Sequence, residues 1–421
     1  MKKYVCLLLA LFLCVGTALP ASAASETAYY GRDWLAKQAN AADLLYAYDL
    51  LANGIVAGEE KITVDSTAHP LSVDDGKRVV EACINDRGGD FWLDTVTTYA
   101  STTVKYFEPV YFAGLKGKTS AFNDALNAVY TAAKLGSLTT DRDKALALHD
   151  ALCRHVEYDT KAPNCHSAYG ALVDKAAVCD GYAEAYQALL QKAGISAYRI
   201  TGVVATSSGD PLAHAWLLVR LDGAYYLSDV TWDDYGSLPD EIHHEYFACT
   251  TAVMGEDHTV DADLLLPVPS CTATAADWFV THDATATTSY AKDKFAKQLK
   301  ANGYVCVGLT GKDRTTILDW FVSSASDLAK ACDMSGTMGL SYYKYGREVH
   351  FYLYVLGDMT NDAQLGAADV TKLARVVGGL DVAGMRDVLA GNVDDTDGKH
   401  TVTAADVTKL ARFASGIDLN L

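Results

Sequence analysis

The sequence predicts an α+β protein of several domains, and three observations carry that reading. Helix-spaced apolar residues dominate the first hundred positions, a cysteine-headed helix precedes three strand-like runs, and a nine-residue segment recurs unchanged near the C-terminus. With 421 residues, 50% of them hydrophobic, the chain can build two or three cores at roughly 150 residues per domain. Disorder along the whole chain is excluded.

The 53 acidic residues outnumber the 35 basic ones, for a formal net charge of -18. Neutralising phosphates needs clustered lysine and arginine, and no basic run follows Lys3, so nucleic acid is excluded as a partner class. Carbohydrate, protein and cationic partners stay open. Residues 1–23 read as an export signal, with Lys2 and Lys3 at the positive end, Val5 to Leu19 as the apolar stretch and Ala21-Ser22-Ala23 at the cleavage site. The run is short for a membrane anchor and no later segment has about 18 consecutive apolar residues. The expectation is a secreted, extracellular protein with no membrane span. Cys6 and Cys14 leave with the signal, and the remaining cysteines are scattered through a chain whose core needs no staples, so their pairing stays open.

Along the chain, residues 24–135 form a mostly helical region, with Trp34, Leu35, Leu44, Leu45, Tyr48 and Leu51 at helical spacing and a short strand at Val104 to Phe112. Residues 136–274 hold the next core. Thr140 opens a helix with Asp141 and Asp143 in its first turn, a second helix runs from Cys179 to Ala193 and stops at Gly194, and strands follow at Ala197 to Ala205, Ala213 to Leu221 and Ala224 to Thr231. Residues 275–356 form a smaller α/β segment, with helices at Tyr290 to Lys300 and Thr315 to Ala331 and strands at Tyr304 to Thr310, Leu340 to Tyr345 and Glu348 to Val355. Residues 357–421 contain the repeat: Ala-Ala-Asp-Val-Thr-Lys-Leu-Ala-Arg at 367–375 and again at 404–412.

Cys179 heads a helix whose Tyr182, Ala183, Tyr186, Leu189 and Leu190 share a face, which puts its sulfur at the helix N-terminus, where a thiolate is favoured. A lone cysteine there is more often structural, and its company changes the odds. Asp222-Gly223 is a two-residue hairpin signal. Counting outward from it pairs Leu221 with Ala224, His214 with Thr231 and Trp216 with Asp229, which leaves His214 and Asp229 as diagonal neighbours about 7 to 8 Å apart at the backbone. A base beside a thiol, with an acid holding its ring, is the arrangement nucleophilic catalysis asks for. A core histidine bonded to a structural aspartate is the bland alternative.

Ala177-Val178-Cys179-Asp180-Gly181-Tyr182-Ala183, His214-Ala215-Trp216 and Asp229-Val230-Thr231-Trp232-Asp233 together resemble the three-part signature of the bacterial transglutaminase-like superfamily. Val156-Glu157-Tyr158-Asp159, Tyr169-Gly170-Ala171-Leu172, Ile84-Asn85-Asp86 with Phe91-Trp92-Leu93, and Tyr246-Phe247 with His258 also resemble exported members. The resemblance covers residues 75–275 and implies a papain-like core in which Cys179 is the nucleophile, His214 the general base and Asp229 the orienting acid, with no cofactor for catalysis. It implies a thioester formed on a protein or peptide amide. Hydrolysis, as peptidase or deamidase, is favoured; transfer to an amine, as in a protein cross-linker, and a non-catalytic binding role stay open. The Cys179 backbone N–H and Tyr169 are the candidates for an oxyanion donor. Leu217 stands where many relatives have a polar residue. His243-His244 and Cys165-His166 are adjacent pairs that face opposite ways on a strand, and no pairs at zinc-finger spacing complete a site, so zinc is not expected.

In the tail, Asp358, Thr360, Asp362 and Asp369 fall at positions 1, 3, 5 and 12 of a twelve-residue loop that opens into a helix, a calcium-type set of oxygen ligands to which Gln364 adds its carbonyl at position 7. A second, longer loop offers Asn392, Asp394, Asp397 and Asp406. This pair of loops resembles a dockerin, an all-α calcium-binding module that docks onto a cohesin module of a scaffold protein, as in a cellulosome. Ala363 departs from the glycine usual at position 6, and Thr360 from the usual Asn or Asp. The resemblance makes Ala367, Ala368 and Arg375, repeated as Ala404, Ala405 and Arg412, the cohesin-facing residues. A role in polysaccharide degradation is suggested only by the company dockerins keep, because no sequence-local carboxylate pair supports one.

Overall fold

The computed structural model describes residues 29–205, 209–234, 242–310, 315–394, 401–418 and 420–421. The export signal and Asp397 lie outside the described residues. Among the described residues no helix is long and apolar enough to cross a membrane.

The N-terminal region contains helices α1 (Tyr30–Leu35), α2 (Ala41–Ala57), α3 (Val73–Asp86) and α4 (Thr119–Ala132), together with a sheet of β1 (Ile62–Thr63), β2 (Leu93–Ala100) and β3 (Val104–Tyr111) in the order β1-β3-β2. Beside these helices, the sheet adds β1 and β2 to the single strand expected at Val104 to Phe112. Strand β2 falls in the stretch read as helix, and its Thr-Val-Thr-Thr-Tyr run is β-branched and aromatic, which suits a pleated surface better than a helix. Asp86 is buried and ties the region together, accepting from the Gly31 and Arg32 backbones and from the Tyr48 hydroxyl.

The next core opens with α5 (Asp141–Cys153), β4 (Glu157–Tyr158), β5 (Ala176–Ala177) and α6 (Cys179–Lys192), then β6 (Ala197–Val204), β7 (Leu212–Leu221), β8 (Ala224–Ser228), α7 (Thr251–Met254) and β9 (His258–Val260). Thr140 caps α5 by accepting from the Asp143 N–H at 3.0 Å, as its sequence predicts. The Asp222-Gly223 turn takes positive φ at both residues, 48° and 91°, which is what a tight hairpin of this twist requires. Asp222 also accepts from the Asp141 and Arg142 N–H groups, so the hairpin turn caps α5.

The sheet order is β8-β7-β6-β9, antiparallel throughout. Alternation along β7 divides its side chains between two cores. Ala215, Leu217, Val219 and Leu221 pack with Tyr186 and Leu189 of α6, while Trp216 and Leu218 join Leu44, Leu51 and Val79 of the N-terminal helices. The departure noted at Leu217 is therefore a core residue, 1% exposed.

A second sheet, ordered β10-β11-β13-β12, follows: α8 (Trp278–Thr281), β10 (Thr285–Ala286), α9 (Lys292–Asn302), β11 (Val305–Leu309), α10 (Thr315–Ala331), β12 (Met338–Tyr345) and β13 (Glu348–Val355). Helices α9 and α10 pack on it around Phe295, Phe321 and Phe351. Buried Arg347 joins this unit to the preceding core through Asp277 at 2.6 Å and the Glu245 carbonyl at 2.9 Å. The tail has α11 (Ala367–Val377), α12 (Met385–Gly391) and α13 (Ala404–Ala414), closed over Met359, Leu373, Ala390 and Leu410.

Candidate active site

All cysteines among the described residues are free thiols, and Cys179 is the only one of them not buried. It is the first residue of α6, and Val178 at the N-cap provides no side-chain hydrogen bond to the first turn. The positive end of the helix is therefore directed at the sulfur. Gly181, two residues on, permits the close approach this needs. A Cβ there would lie 2.6 Å from the Cys165 carbonyl oxygen and 2.9 Å from that of Ser167, so only glycine lets α6 start against that segment.

His214, near the start of β7, is buried, and the Cys179 thiol is near enough to help raise its pKa. Its Nε2 reaches Asp229 Oδ2 at 2.6 Å, which leaves Nδ1 as the nitrogen for the sulfur. Burial by itself would lower the His214 pKa. The Asp229 charge and hydrogen bond, with a smaller contribution from Cys179, outweigh it and raise the pKa to about 10. Asp229 is buried too; burial opposes its ionisation, but His214 and then His258 hold it well below the usual carboxylate range.

The ladder predicted around Asp229 ends early. Pairing runs from Leu221↔Ala224 to Leu217↔Ser228 and stops there, so His214 does not face Thr231, and Trp216 does not face Asp229. Instead the Asp229 N–H donates to the Tyr246 carbonyl at 3.2 Å, and the chain turns so that the Thr231 and Trp232 N–H groups donate to Asp229 Oδ1. Cys179, His214 and Asp229 are brought together all the same.

His258 is the part of the site to which the sequence reading assigned no role. It lies on β9, the edge strand beyond β6, and its Nε2 meets Asp229 Oδ2 at 3.0 Å while Nδ1 meets Asp257 Oδ1 at 2.6 Å. Trp216, Trp232 and Tyr246 surround it at 4.8 to 5.1 Å between ring centroids. The signal available was its place after Tyr246-Phe247 in the resemblance. Tyr169 is a core residue against Phe91, whereas half-exposed Tyr158 sits where the Cys179 charge is felt: burial, then Cys179, raises its pKa.

In the tail, the first loop gathers its carboxylates around backbone N–H groups. Asp358 accepts from Asp362 and Ala363, Asp369 from Thr360 and Gly366, and Asp362 from Gln364. Asp406 does likewise for Asp394 and Thr403; Asn392 ends α12 as its C-cap. Ala363 has φ 60°, the left-handed conformation that glycine would adopt freely. Ala367, Ala368, Ala404 and Ala405 are exposed. Arg375 and Arg412 are half exposed, each in a bidentate pair, with Asp381 and Asp418 respectively.

Residues 129–232 match the family model of the transglutaminase-like superfamily. The chain is similar to the kyphoscoliosis peptidases of Homo sapiens, 28% identical over 140 residues, and Mus musculus, 27% identical over the same length; each match covers 29% of this chain. The chain spans about a fifth of the length of these curated relatives, 21% in each. A solved structure described as a TGase aligns with TM-score 0.25 and 16% identity, covering 33% of this chain and 44% of that one. The chain thus carries a transglutaminase-like superfamily domain, and Cys179, His214 and Asp229 all fall within the matched span.

Proposed function

We propose that this domain is a cysteine enzyme acting on protein or peptide amide bonds, with Cys179 as nucleophile, His214 as general acid and base, and Asp229 as the residue that orients His214. The observation that carries the reading is the partly exposed thiol at the start of α6, beside a histidine that a buried carboxylate holds in the protonated form.

The Cys179 thiolate adds to the amide carbonyl carbon. As the C–N bond breaks, the His214 imidazolium gives its proton to the departing amine, leaving a thioester and a neutral imidazole. A water then gives its proton to His214 and attacks the thioester carbon. The C–S bond breaks, the carboxylic acid leaves, and the thiolate–imidazolium pair is restored. Backbone N–H groups of the first turn of α6 suit the developing oxyanion. An amine in place of water would give an isopeptide. Incubation with casein and a fluorescent primary amine separates the routes: fragments or released ammonia without label support hydrolysis, and stable amine incorporation supports transfer.

We further propose that the tail is a calcium-dependent dockerin-like module and that the chain works outside the cell, attached to a cohesin-bearing scaffold. The spacing of Asp358, Thr360, Asp362, Gln364 and Asp369, with a left-handed residue at position 6, supports this, as do the exposed alanine pairs that begin α11 and α13. A pull-down with cohesin modules tests it: binding that a chelator abolishes is expected, and binding indifferent to chelator contradicts the assignment.

A further inference from the structure

We infer that His243, Cys306, Glu348 and His350 form a structural zinc site at the seam between the transglutaminase-like core and the second sheet. None of these residues belongs to the candidate active site.

Strand geometry assembles three of them. Glu348 and His350 are two apart on β13 and so share a face, and Cys306 on β11 is the register partner of His350. His243 comes from the segment at 242–244 and closes over that face. His243 and His244 lie outside any strand, so the strand alternation expected of this pair does not govern them; His243 reaches Glu348 and His244 reaches Asp150. The expectation against zinc rested on local spacing, and this set comes from three separated segments.

The donor atoms gather around Glu348 Oε1. His243 Nδ1 lies 3.2 Å from Glu348 Oε1, Cys306 Sγ lies 3.4 Å from the same oxygen, and His350 Nε2 contacts it as well. The two imidazole nitrogens and the carboxylate oxygen all lie within 4.8 Å of one another. Three would-be donors around one oxygen exceed its two lone pairs. Ligands held at 2.0 to 2.3 Å around a tetrahedral zinc are separated by roughly 3.3 to 3.8 Å; His243 and Cys306 stand at 3.2 and 3.4 Å from Glu348 Oε1, and His350 Nε2, which is closer, would be drawn apart from that oxygen by the ion. All four residues are buried, none more than 7% exposed, and two imidazoles, a thiolate and a carboxylate suit zinc rather than calcium or magnesium.

The surroundings hold the ligands in place. The His244 N–H binds Glu348 Oε2 at 3.1 Å, leaving Oε1 for the ion, and the Tyr352 hydroxyl lies 3.5 Å from His350 Nδ1. His350 and Tyr352 also line a cavity of about 710 Å³, which offers the ion a path in. Four protein ligands make a closed site, so the ion would be structural. It would fix the 242–244 segment just before Tyr246, whose carbonyl positions Asp229. The neighbouring His149, Asp150 and His244 group fits less well, because His149 Nε2 is directed at Asp233 and no thiol comes closer than Cys153 at 3.9 Å.

The test is metal analysis of the purified full chain after dialysis against metal-free buffer, followed by cobalt(II) replacement. Stoichiometric zinc is expected in the wild type, Cys179→Ala and His244→Ala, with loss in Cys306→Ser and His350→Ala. The cobalt form should show a thiolate charge-transfer band that survives Cys179→Ala. Should Cys306→Ser or His350→Ala fail to fold, the cobalt spectrum of Cys179→Ala decides alone. Absence of retained zinc, zinc retained undiminished in folded Cys306→Ser, or a cobalt band that disappears in Cys179→Ala would each overturn the proposal.

Discussion

His214 and His258 meet on a single atom: the Nε2 of each lies within 3.0 Å of Asp229 Oδ2, although they stand on β7 and β9 with β6 between them. One carboxylate oxygen thus fixes two imidazoles, while its partner Oδ1 is fixed by the Thr231 and Trp232 N–H groups. The orientation of His214 toward Cys179 depends on all four contacts.

Asp229→Asn separates charge from shape. Asp229 is what raises the His214 pKa to about 10 against the lowering effect of burial. Without that charge, burial takes His214 to or below its ordinary 6.5, and the imidazolium is lost as pH rises through the new value. The alkaline limit of amide hydrolysis, which needs the imidazolium to protonate the departing amine, should therefore move down in pH. Amide hydrolysis should fall by on the order of 10²-fold or more.

His258→Phe should act in the opposite direction on the pH profile. It removes a hydrogen bond to Asp229 and leaves Oδ2 of that carboxylate to His214, so the alkaline limit of hydrolysis should move up while kcat falls by about tenfold, the effect of one lost bond to a charged group. A merely structural loss would lower stability without moving the limit. The pH profile of amide hydrolysis and a thermal melt distinguish the two.

Gly181→Ala places a methyl against the Cys165 and Ser167 carbonyl oxygens and the Ala177 side chain, all within 2.9 Å. Backbone on both sides has little room to yield. Overpacking of this kind costs about 1 to 3 kcal/mol, and the displaced start of α6 carries Cys179 with it. A lowered Tm together with slower alkylation is the expected outcome.

Much of this geometry was legible where a local rule governs it. Helix α6 begins at Cys179 and its end is followed by left-handed Gly194, and α10 and β13 take the predicted spans 315–331 and 348–355, because caps, turns and apolar period are properties of neighbouring residues. The hairpin turn was legible for the same reason. What escaped depends on contacts far apart in the chain: the departure of Asp229 from its ladder follows from Tyr246, His258 arrives from an edge strand, and β2 was obscured by a register shift near Leu93 that breaks its alternation.

In the tail, Ala363→Gly should relieve the cost of a side chain at φ 60°, about 1 kcal/mol, and so raise the thermal stability of the tail. Scanning calorimetry checks this. An unchanged or lowered Tm would mean that the residue carries no such cost.

The most direct test of the account is covalent trapping of Cys179 near neutral pH with a peptide-based thiol-directed electrophile, located by mass spectrometry in the wild type and in His214→Ala. The account predicts stoichiometric labelling at Cys179, none at the buried cysteines, and a rate at least tenfold lower without His214. No labelling of Cys179, or labelling at the same rate in His214→Ala, would contradict it.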